Sequence, residues 1–427
     1  MEQRDLLIVG AGISGLAVAN FTSRENVLIL EREEEIGGYC RTVKQDGFVW
    51  DYSGHFFHFR HPRIEEYLVS RMPADSVRRI EKSAKILYRD RLIEFPFQKN
   101  IHQLPQEEFI DCLYDLYFRD RGAAVHNFSE MLYAKFGRGI TERFLRPYNE
   151  KLYACDLSEL DADAMGRFFP YADIDEVIRN MKNPDNRSYN STFTYPTGGA
   201  IEYVRAFEKA LDPSRIALGE TLVSVDLERR IARTNRREVR FDRLVSSAPF
   251  NRLLEICGIE HDRRVFSSNK VLVFNLGFDR KGWPGVHWVY FPERHYRFYR
   301  AGFYDNIFGS ERMSLYIEIG MRTGDTVDLE AERARVLDDL RVAGVVTDHQ
   351  LVSWHAVVLD PAYVHVTTES QRQTAHYTER LAQHGVHSIG RYGGWKYCAI
   401  EDNIVEAIDL IADIDGRRVD LVEPARS

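Results

Sequence analysis

The chain has 427 residues, enough for two or three domains with a sizeable core. Apolar residues make up 44% and charged residues 29%, as in ordinary globular proteins, and the formal net charge of -8 argues against a general nucleic-acid binder. The five cysteines are scattered without a Cys-x-x-Cys pair, which argues against a disulfide framework and favours a reducing compartment. No apolar run reaches the roughly 20 residues of a membrane span, so we expect a cytoplasmic protein with no membrane partner.

The first predicted element is an apolar strand that runs into a three-glycine turn and then into a helix, over residues 6–15. Gly10 allows the tight turn, Gly12 lets a pyrophosphate approach the backbone, and Gly15 lets the helix pack close to the strand. A helix N-terminus offers free amides and a partial positive charge to phosphates. This run therefore predicts a dinucleotide site.

The second predicted strand, Val27–Leu30, ends at an acidic residue. Glu31 lies about 16 residues past the last glycine, close to the spacing of a carboxylate that accepts hydrogen bonds from ribose hydroxyls. Arg32 follows it. With Ile13 and Ser14 at the helix N-terminus, these residues are predicted to contact the cofactor.

Two more glycine motifs follow soon after the predicted ribose acid. Gly37 and Gly38 suggest a second close approach of the backbone to the cofactor, and Gly54 precedes His55 in a loop rich in aromatic residues. A domain that binds only a nicotinamide cofactor would continue with a plain βα unit here. The pattern favours FAD.

In the rest of the chain the predicted secondary structure changes from helices to strands and back to helices. Apolar spacings of three and four predict helices across residues 97–190, and alternating apolar and polar positions predict strands that rejoin the nucleotide domain at 216–247. Aromatic and β-branched residues predict a second sheet at 269–320. Helices are predicted at 328–343 and at 402–414.

We therefore predict an α/β fold in which a Rossmann-type FAD-binding domain carries a helical insertion and a second, mixed or antiparallel sheet domain. The FAD-binding domain is discontinuous and comprises residues 1–95, 192–265 and 385–427. The helical substrate-capping domain spans residues 96–191, and the sheet-rich substrate-binding domain spans residues 266–384.

Four later stretches are more selective than the glycine motifs and together resemble the UDP-galactopyranose mutase family. The four stretches are Phe95–Asn100 (FPFQKN), Pro147–Tyr153 (PYNEKLY), Trp288–Arg300 and Gly390–Tyr397 (GRYGGWKY). The third of them is similar to the strand pair of the family's eukaryotic branch. The resemblance as a whole covers about residues 6–410.

The resemblance implies a flavin-dependent isomerase that interconverts the pyranose and furanose forms of a UDP- or GDP-sugar. In that family N5 of reduced FAD attacks the anomeric carbon, so net redox change is zero although FAD must first be reduced. NADPH or NADH is the expected electron donor, and the nucleoside-diphosphate sugar is the expected partner.

Carried over residue by residue, the resemblance assigns three catalytic roles. His55 would lie beside the flavin ring, and Arg167 and Arg300 would clamp the substrate diphosphate. Guanidinium groups suit this task because they bind phosphate with two parallel hydrogen bonds. The other implied substrate contacts are Gln98, Asn100, Tyr153, Tyr363 and Tyr397, and the other implied flavin contacts are Gly54, Arg391, Asp402 and Asn403.

Several alternatives stay open. An FAD-dependent oxidoreductase of the amine oxidase or desaturase type shares the N-terminal motifs, and a non-catalytic flavin or nucleotide-sugar binder is the third possibility. His55, His58 and His61 lie in a flavin loop without the spacing of a zinc site, so no metal is expected. Tyr153 stands where the family has a tryptophan, and Lys99 replaces an asparagine. The nucleobase, the sugar and the oligomeric state, a homodimer included, are left undecided.

Overall fold

The computed structural model of the protein describes residues 1–186 and 191–421. The residues at 187–190 and 422–427, which belong to two of the predicted domains, lie outside the described residues. The N-terminal part contains β1 (Glu2–Val9), α1 (Ile13–Phe21), β2 (Val27–Leu30), β3 (Thr42–Gln45), β4 (Phe48–Asp51), α2 (Pro62–Val69), β5 (Val77–Glu81), β6 (Ala84–Tyr88) and β7 (Arg91–Glu94).

A mainly helical stretch follows and then a return to strands. The helical stretch comprises α3 (Gln106–Tyr117), α4 (Phe128–Ile140), α5 (Arg146–Tyr153) and α6 (Ile174–Lys182). After it come β8 (Thr192–Pro196), α7 (Ile201–Glu208), β9 (Ile216–Ala217), β10 (Leu222–Asp226), β11 (Ile231–Thr234), β12 (Glu238–Ser246) and α8 (Phe250–Ile256).

The C-terminal part supplies the second sheet and the closing helices. Its elements are β13 (Asn269–Phe278), β14 (Trp288–Tyr290), β15 (Arg300–Phe303), α9 (Tyr304–Phe308), β16 (Ser314–Arg322), α10 (Leu329–Val342), β17 (Leu351–Leu359), α11 (Thr368–Gln383), β18 (Val386–Ser388), α12 (Gly390–Gly393) and α13 (Ile400–Asp415).

The first sheet has the order β10-β11-β12-β1-β2-β9, with β18 beside β12. Its central strand β1 runs parallel to both neighbours, and Leu6, Leu7 and Ile8 are fully buried. Helix α1 packs between this sheet and helices α7 and α13. Strands from three distant segments thus form one Rossmann-type sheet, and the predicted fold class is confirmed.

The second sheet has the order β17-β13-β16-β15-β14-β6-β7. Its neighbours are antiparallel except for β14 and β6, which are parallel. Residues 84–94 therefore belong to this sheet, and the structure corrects the predicted boundary at residue 95. No strand is predicted from the sequence at these residues, and the partner of β6 is a segment about 200 residues away that local pattern does not reveal.

The helical segment bends where it approaches the second sheet. Gly137 has a φ of +70° inside α4, and a π-helical turn at 141–145 joins this helix to α5. Phe97 stacks on Phe144, with ring centroids 5.0 Å apart, and α5 lies against β16. The bend brings Tyr148 and Asn149 towards the second sheet.

Three kinds of structural feature are missing from the described ranges. No helix there combines the length and the apolar character that crossing a bilayer requires. No group of three His, Cys, Asp or Glu side chains is placed to hold a metal ion in the described part of the chain. All five cysteines are free, and burial raises the pKa of Cys40, Cys112 and Cys257 to about 12.

Buried histidines make the fold sensitive to acid. Burial lowers the pKa of His287 to about 4, and its Nδ1 accepts a hydrogen bond from the Ser83 amide at 2.9 Å. The folded state therefore resists protonation that the unfolded chain accepts near pH 6.5, so stability falls as pH drops from about 6.5 to 4.

Replacing this histidine by glutamine should flatten that dependence. Glutamine keeps an acceptor for Ser83 but does not titrate. The slope of the unfolding free energy against pH should fall by up to about 1.4 kcal/mol per pH unit, which is the contribution of one proton. Urea titrations between pH 4 and 6.5 measure this slope. An unchanged slope would mean that His287 titrates alike in both states.

Candidate active site

A cleft of about 1400 Å³ lies where the two sheets and the helical segment meet. Its floor is the turn between β1 and α1, and its walls come from the loop after β4, from α5, from β15 and β16, and from the segment before α13. Because these elements belong to distant parts of the sequence, the cleft exists only in the folded chain.

The glycine turn at the floor is fixed by packing. Gly10 has a φ of +102°, a conformation that side chains rarely adopt. A Cβ on Gly15 would lie 1.9 Å from the carbonyl oxygen of Gly10, so no larger residue fits there. Gly15 itself does not line the cleft. Its predicted task, close packing of helix on strand, agrees with this geometry.

Gly12 lies in the same turn, but packing within the protein does not require a glycine there. Its φ of -86° is open to any residue, and a Cβ there would meet Gly38 Cα at 3.9 Å and the Gly37 carbonyl oxygen at 4.0 Å. These are ordinary van der Waals contacts, so the surrounding protein atoms leave room for an alanine in place of Gly12. No side chain caps α1 and no acid occupies its first turn, where Ile13 and Ser14 face the cleft. The cradle therefore fits the pyrophosphate of a dinucleotide such as FAD.

Glu31 lies at the end of β2 and is 7% exposed. One carboxylate oxygen accepts a hydrogen bond from the Ala11 amide at 2.8 Å, and the other accepts one from the Glu33 amide at 3.1 Å. A carboxylate has further acceptor positions, so Glu31 can still receive ribose hydroxyls from the cleft. The neighbouring Arg32 also lines the cleft and is largely exposed.

The segment before the last helix closes the same side of the cleft. The Gly390 amide donates to Glu406 at 2.8 Å, and the Arg391 amide donates to Asn403 Oδ1 at 2.8 Å. Ser14 Oγ lies 3.4 Å from the same Asn403 oxygen. The first and the last parts of the chain are thus joined at the cofactor cradle.

Arg300 projects from β15 into the opposite wall. Its guanidinium forms a two-point ion pair with Glu318 on the adjacent strand, with Nη2 at 2.7 Å from Oε1, and Ser53 Oγ donates to the same oxygen. Burial alone would lower the pKa of Arg300, but the Glu318 carboxylate outweighs it and the pKa lies well above its usual value. A permanent cation therefore lies in a partly dry cleft.

His55 lies two residues after Ser53, in the loop after β4, and lines the cleft. Burial lowers its pKa to about 4, against the opposing effect of the Ser53 backbone and Glu318. The imidazole is therefore neutral at physiological pH. It can exchange hydrogen bonds with a ligand without adding a charge beside it.

A second buried cation faces the cleft from the C-terminal segment. The Arg391 guanidinium carbon lies 4.5 Å from the ring centroid of Tyr397 and 5.1 Å from that of Tyr363. The two rings stack at 6.0 Å. Burial raises the pKa of the Tyr363 hydroxyl, so it remains a neutral donor. The structure brings these three predicted residues together at the cleft.

The structure does not bring Arg167 to the cleft. Its Nη2 lies 2.6 Å from both carboxylate oxygens of Asp402, and its side chain is 39% exposed. Asp402 also caps α13 through the Ala399 amide and pairs with Arg60. Neither Arg167 nor Asp402 lines the cleft, and the two side chains form an ion pair with each other. The adjacent Phe168 does line it.

Three other predicted substrate contacts also lie behind the cleft wall. Gln98 and Asn100 are fully buried, and their amides donate to the carbonyl oxygens of Pro170 and Pro96. The Tyr153 ring is buried with its centroid 5.9 Å from that of Tyr363. In this conformation these side chains support the wall rather than line it.

The structure also places residues in the cleft that the motifs did not assign. Glu318 interrupts an otherwise apolar strand, which is a sequence signal for a buried charge that must be paired. Among the described residues, the buried polar atoms of cleft-lining residues that make no hydrogen bond include Asn149 Oδ1 and Tyr299 Oη, which the motifs did not assign, and His55 Nδ1 and Arg391 Nε, which belong to predicted residues. Such atoms suit contact with a ligand.

Comparisons of sequence give short or distant matches. A family model described as an NAD(P)-binding Rossmann-like domain matches residues 8–70. All-trans-retinol 13,14-reductase of Danio rerio is 40% identical over 57 residues, 13% of this chain and 9% of that protein. UDP-galactopyranose mutase of Mycoplasma pneumoniae is 23% identical over 235 residues, 50% of this chain and 54% of that protein. The chain thus spans about half of the mutase's length or less than a tenth of the reductase's.

Comparison of structures extends over nearly the whole chain. A crystal structure of reduced UDP-galactopyranose mutase matches with a TM-score of 0.89 at 22% identity, covering 97% of this chain and 94% of the other. The chain has the fold of UDP-galactopyranose mutase. Cyclohexylamine oxidase from Brevibacterium oxydans matches less closely, with a TM-score of 0.67 at 14% identity over 97% and 100% of the two chains. The predicted resemblance is confirmed at the level of the fold.

Proposed function

We propose that the protein is a flavin-dependent mutase that interconverts the pyranose and furanose forms of a nucleoside-diphosphate sugar. The observation that supports this most strongly is one cleft that combines a dinucleotide cradle with the buried Arg300 guanidinium and the Tyr363 and Tyr397 hydroxyls. An amine or a lipid would not require such a cation, whereas a diphosphate does.

FAD would occupy the cradle. The α1 amides and Gly12 would take the pyrophosphate, Glu31 the ribose, and Arg391 with Asn403 the flavin end. When bound and reduced, FAD supplies a nucleophile for the anomeric carbon. NADPH or NADH would supply the electrons.

The chain's own residues would hold the sugar nucleotide and its leaving group. As the bond between the anomeric carbon and the diphosphate breaks, negative charge grows on the diphosphate, and Arg300 with the Tyr363 and Tyr397 hydroxyls would stabilise it. The same groups would retain the diphosphate until it rejoins the sugar. His55, being neutral, would hold the sugar without attracting the diphosphate away from Arg300.

Arg167 would join this clamp only by leaving Asp402. Both side chains lie at the rim, and Arg167 is half-exposed, so an anion in the cleft can compete for it. We therefore infer that Asp402 holds Arg167 at the rim of the cleft until an anion competes for it.

The Asp402→Asn change tests this competition. Asparagine still caps α13 but no longer neutralises Arg167. The Kd for UDP or GDP, measured by calorimetry, should fall about fivefold, which corresponds to about 1 kcal/mol. Asp328→Asn is the matched control, since Asp328 also caps a helix N-terminus, by accepting from the Glu330 and Ala331 amides of α10, and does not line the cleft. Unchanged or weaker binding in Asp402→Asn alone would contradict the competition.

The activity itself is tested with a substrate panel under anaerobic conditions. The protein, loaded with FAD, is incubated oxidised and dithionite-reduced with UDP-galactose, UDP-N-acetylgalactosamine and GDP-fucose. The reduced form should yield a new isomer of unchanged mass from at least one of them, and the oxidised form should yield none. Failure with the whole panel would contradict the proposal.

The alternative is an FAD-dependent oxidoreductase of the amine oxidase or desaturase type. The structural likeness to cyclohexylamine oxidase favours it. It predicts substrate-dependent bleaching of oxidised flavin and release of hydrogen peroxide in air. Activity unaffected by the loss of Arg300 would also support it over the mutase.

A further inference from the structure

One carboxylate at the rim of the cleft is shared by two arginines. Asp402 Oδ1 lies 2.6 Å from Arg167 Nη2 and 2.9 Å from Arg60 Nη2. Arg167 belongs to the segment between α5 and α6, whereas Arg60 belongs to the loop between β4 and α2. The two guanidinium groups therefore repel each other across a single negative charge, and Asp402 joins two parts of the chain that are distant in sequence.

Arg60 is attached to the first turn of α13 by more than this ion pair. Glu401, which precedes Asp402, is 3% exposed. Its carboxylate accepts hydrogen bonds from the Arg60 amide at 3.0 Å and from the His61 amide at 2.9 Å, and Arg60 Nε lies 3.6 Å from Glu401 Oε2. Both the backbone and the side chain of Arg60 are thus held in place beside Asp402.

Arg167 has fewer contacts. Among the described residues, Asp402 is the one carboxylate with which it forms an ion pair, and its guanidinium carbon also lies 4.6 Å from the ring centroid of Phe168. Phe168 lines the cleft, so the other neighbour of this guanidinium already faces the bound ligand. An anion in the cleft would therefore draw Arg167 away from Asp402 and leave Arg60 where it is.

The departure of Arg167 has a cost that Arg60 reduces. The Asp402 side chain is only 21% exposed, so water would solvate its charge incompletely if no cation remained. Arg60 stays beside Asp402 and keeps that charge paired. The repulsion between the two guanidinium groups disappears at the same time, which further favours the movement of Arg167.

We propose that Arg60 is a positioning residue for Arg167, because it neutralises Asp402 when Arg167 turns towards the diphosphate of a nucleotide. The inference rests on the proposed function, which supplies that diphosphate. Arg60 also lies in the segment that carries His55, residues 53–61, which we call the His55 segment. Once Arg167 has left, the ion pair between Arg60 and Asp402 is no longer shared, so the diphosphate and the His55 segment are linked through Asp402.

Calorimetric titration of the FAD-loaded full chain with UDP tests the role of Arg60. Arg60→Gln should raise the Kd for UDP about threefold, the size of one exposed ion pair, and Arg60→Lys, which keeps the cation, should restore most of the affinity. Arg63→Gln is the matched control. The Arg63 side chain is 51% exposed against 48% for Arg60, pairs with Asp420 and does not line the cleft, so this variant should keep the parental Kd.

A double-mutant cycle separates this role from simple attraction of an anion by a nearby charge. In the Asp402→Asn background, Arg60→Gln should leave the Kd for UDP unaltered, because no carboxylate remains to be neutralised. The same threefold rise there, or an unchanged Kd in Arg60→Gln alone, would overturn the proposal. The cycle measures binding and not turnover, so its failure is distinguishable from failure of the substrate panel.

Hydrogen exchange tests the link to the His55 segment. UDP should slow the exchange of the amides at 54–61 in the FAD-loaded parent, since the ion pair that holds this segment strengthens when Arg167 leaves. In Arg60→Gln the same addition should change their exchange much less. Equal slowing in the parent and the variant would overturn the link.

Discussion

We expect the Gly12→Ala variant to fold as well as the parent and yet to lose most of its affinity for FAD. The added Cβ meets the protein only at 3.9 Å and beyond, so the apo fold has no clash to relieve. It would, however, occupy the space through which a pyrophosphate reaches the α1 amides. The Kd for FAD should rise at least about 100-fold, or about 2.8 kcal/mol, while the melting temperature of the apo protein changes by less than about 2 °C.

Calorimetric titration of the apo protein with FAD measures the first quantity, and differential scanning calorimetry measures the second. Gly324→Ala is the matched control because its Cβ would meet nothing within 4 Å and Gly324 does not line the cleft. It should keep the parental affinity. Parental affinity in Gly12→Ala would show that the cradle does not hold the pyrophosphate.

The second large effect is expected from Arg300. Its loss should lower kcat/KM for the sugar nucleotide by about 10³-fold, equivalent to about 4 kcal/mol, since the charge that develops on the diphosphate loses its buried counter-charge. Arg300→Ala should also destabilise the fold by about 3–5 kcal/mol, because Glu318, only 1% exposed, would keep a buried charge without its cation.

A pair of variants separates these two losses. Arg300→Met combined with Glu318→Met replaces the ion pair by apolar side chains of similar length, which is often neutral for stability. The double variant should recover the stability that Arg300→Ala loses, as measured in urea, but not the activity. If activity returned with stability, Arg300 would be a structural residue and the proposed diphosphate clamp would be wrong.

The fold could be predicted well where one segment carries its own signal. The glycine turn between β1 and α1 encodes its geometry locally, and the predicted strand at 27–30 has the observed bounds. The second sheet was predicted at 269–320, but the pairing of β6 with β14 was not. Alternating apolar and polar residues indicate that a segment forms a strand. The strand with which it pairs depends on the packing of segments about 200 residues apart.

In the candidate site, too, some residues are positioned by local sequence and others by distant parts of the chain. Residues inside glycine motifs, such as Gly12 and Arg391, line the cleft because backbone geometry confines them there. Arg167 and Glu318 differ, because their surroundings are set by side chains that are distant in sequence. A motif can indicate a guanidinium but not that Asp402, 235 residues later, binds it in this conformation.

In the proposed mutase, the reduced flavin changes the sugar ring without being consumed. The most direct measurement supplies the FAD-loaded protein with a known amount of dithionite under anaerobic conditions, adds excess nucleoside-diphosphate sugar, and counts product per electron pair. We predict many molecules of an isomer of unchanged mass for each electron pair. One product per pair, or a product whose mass differs by two hydrogens, would contradict the account.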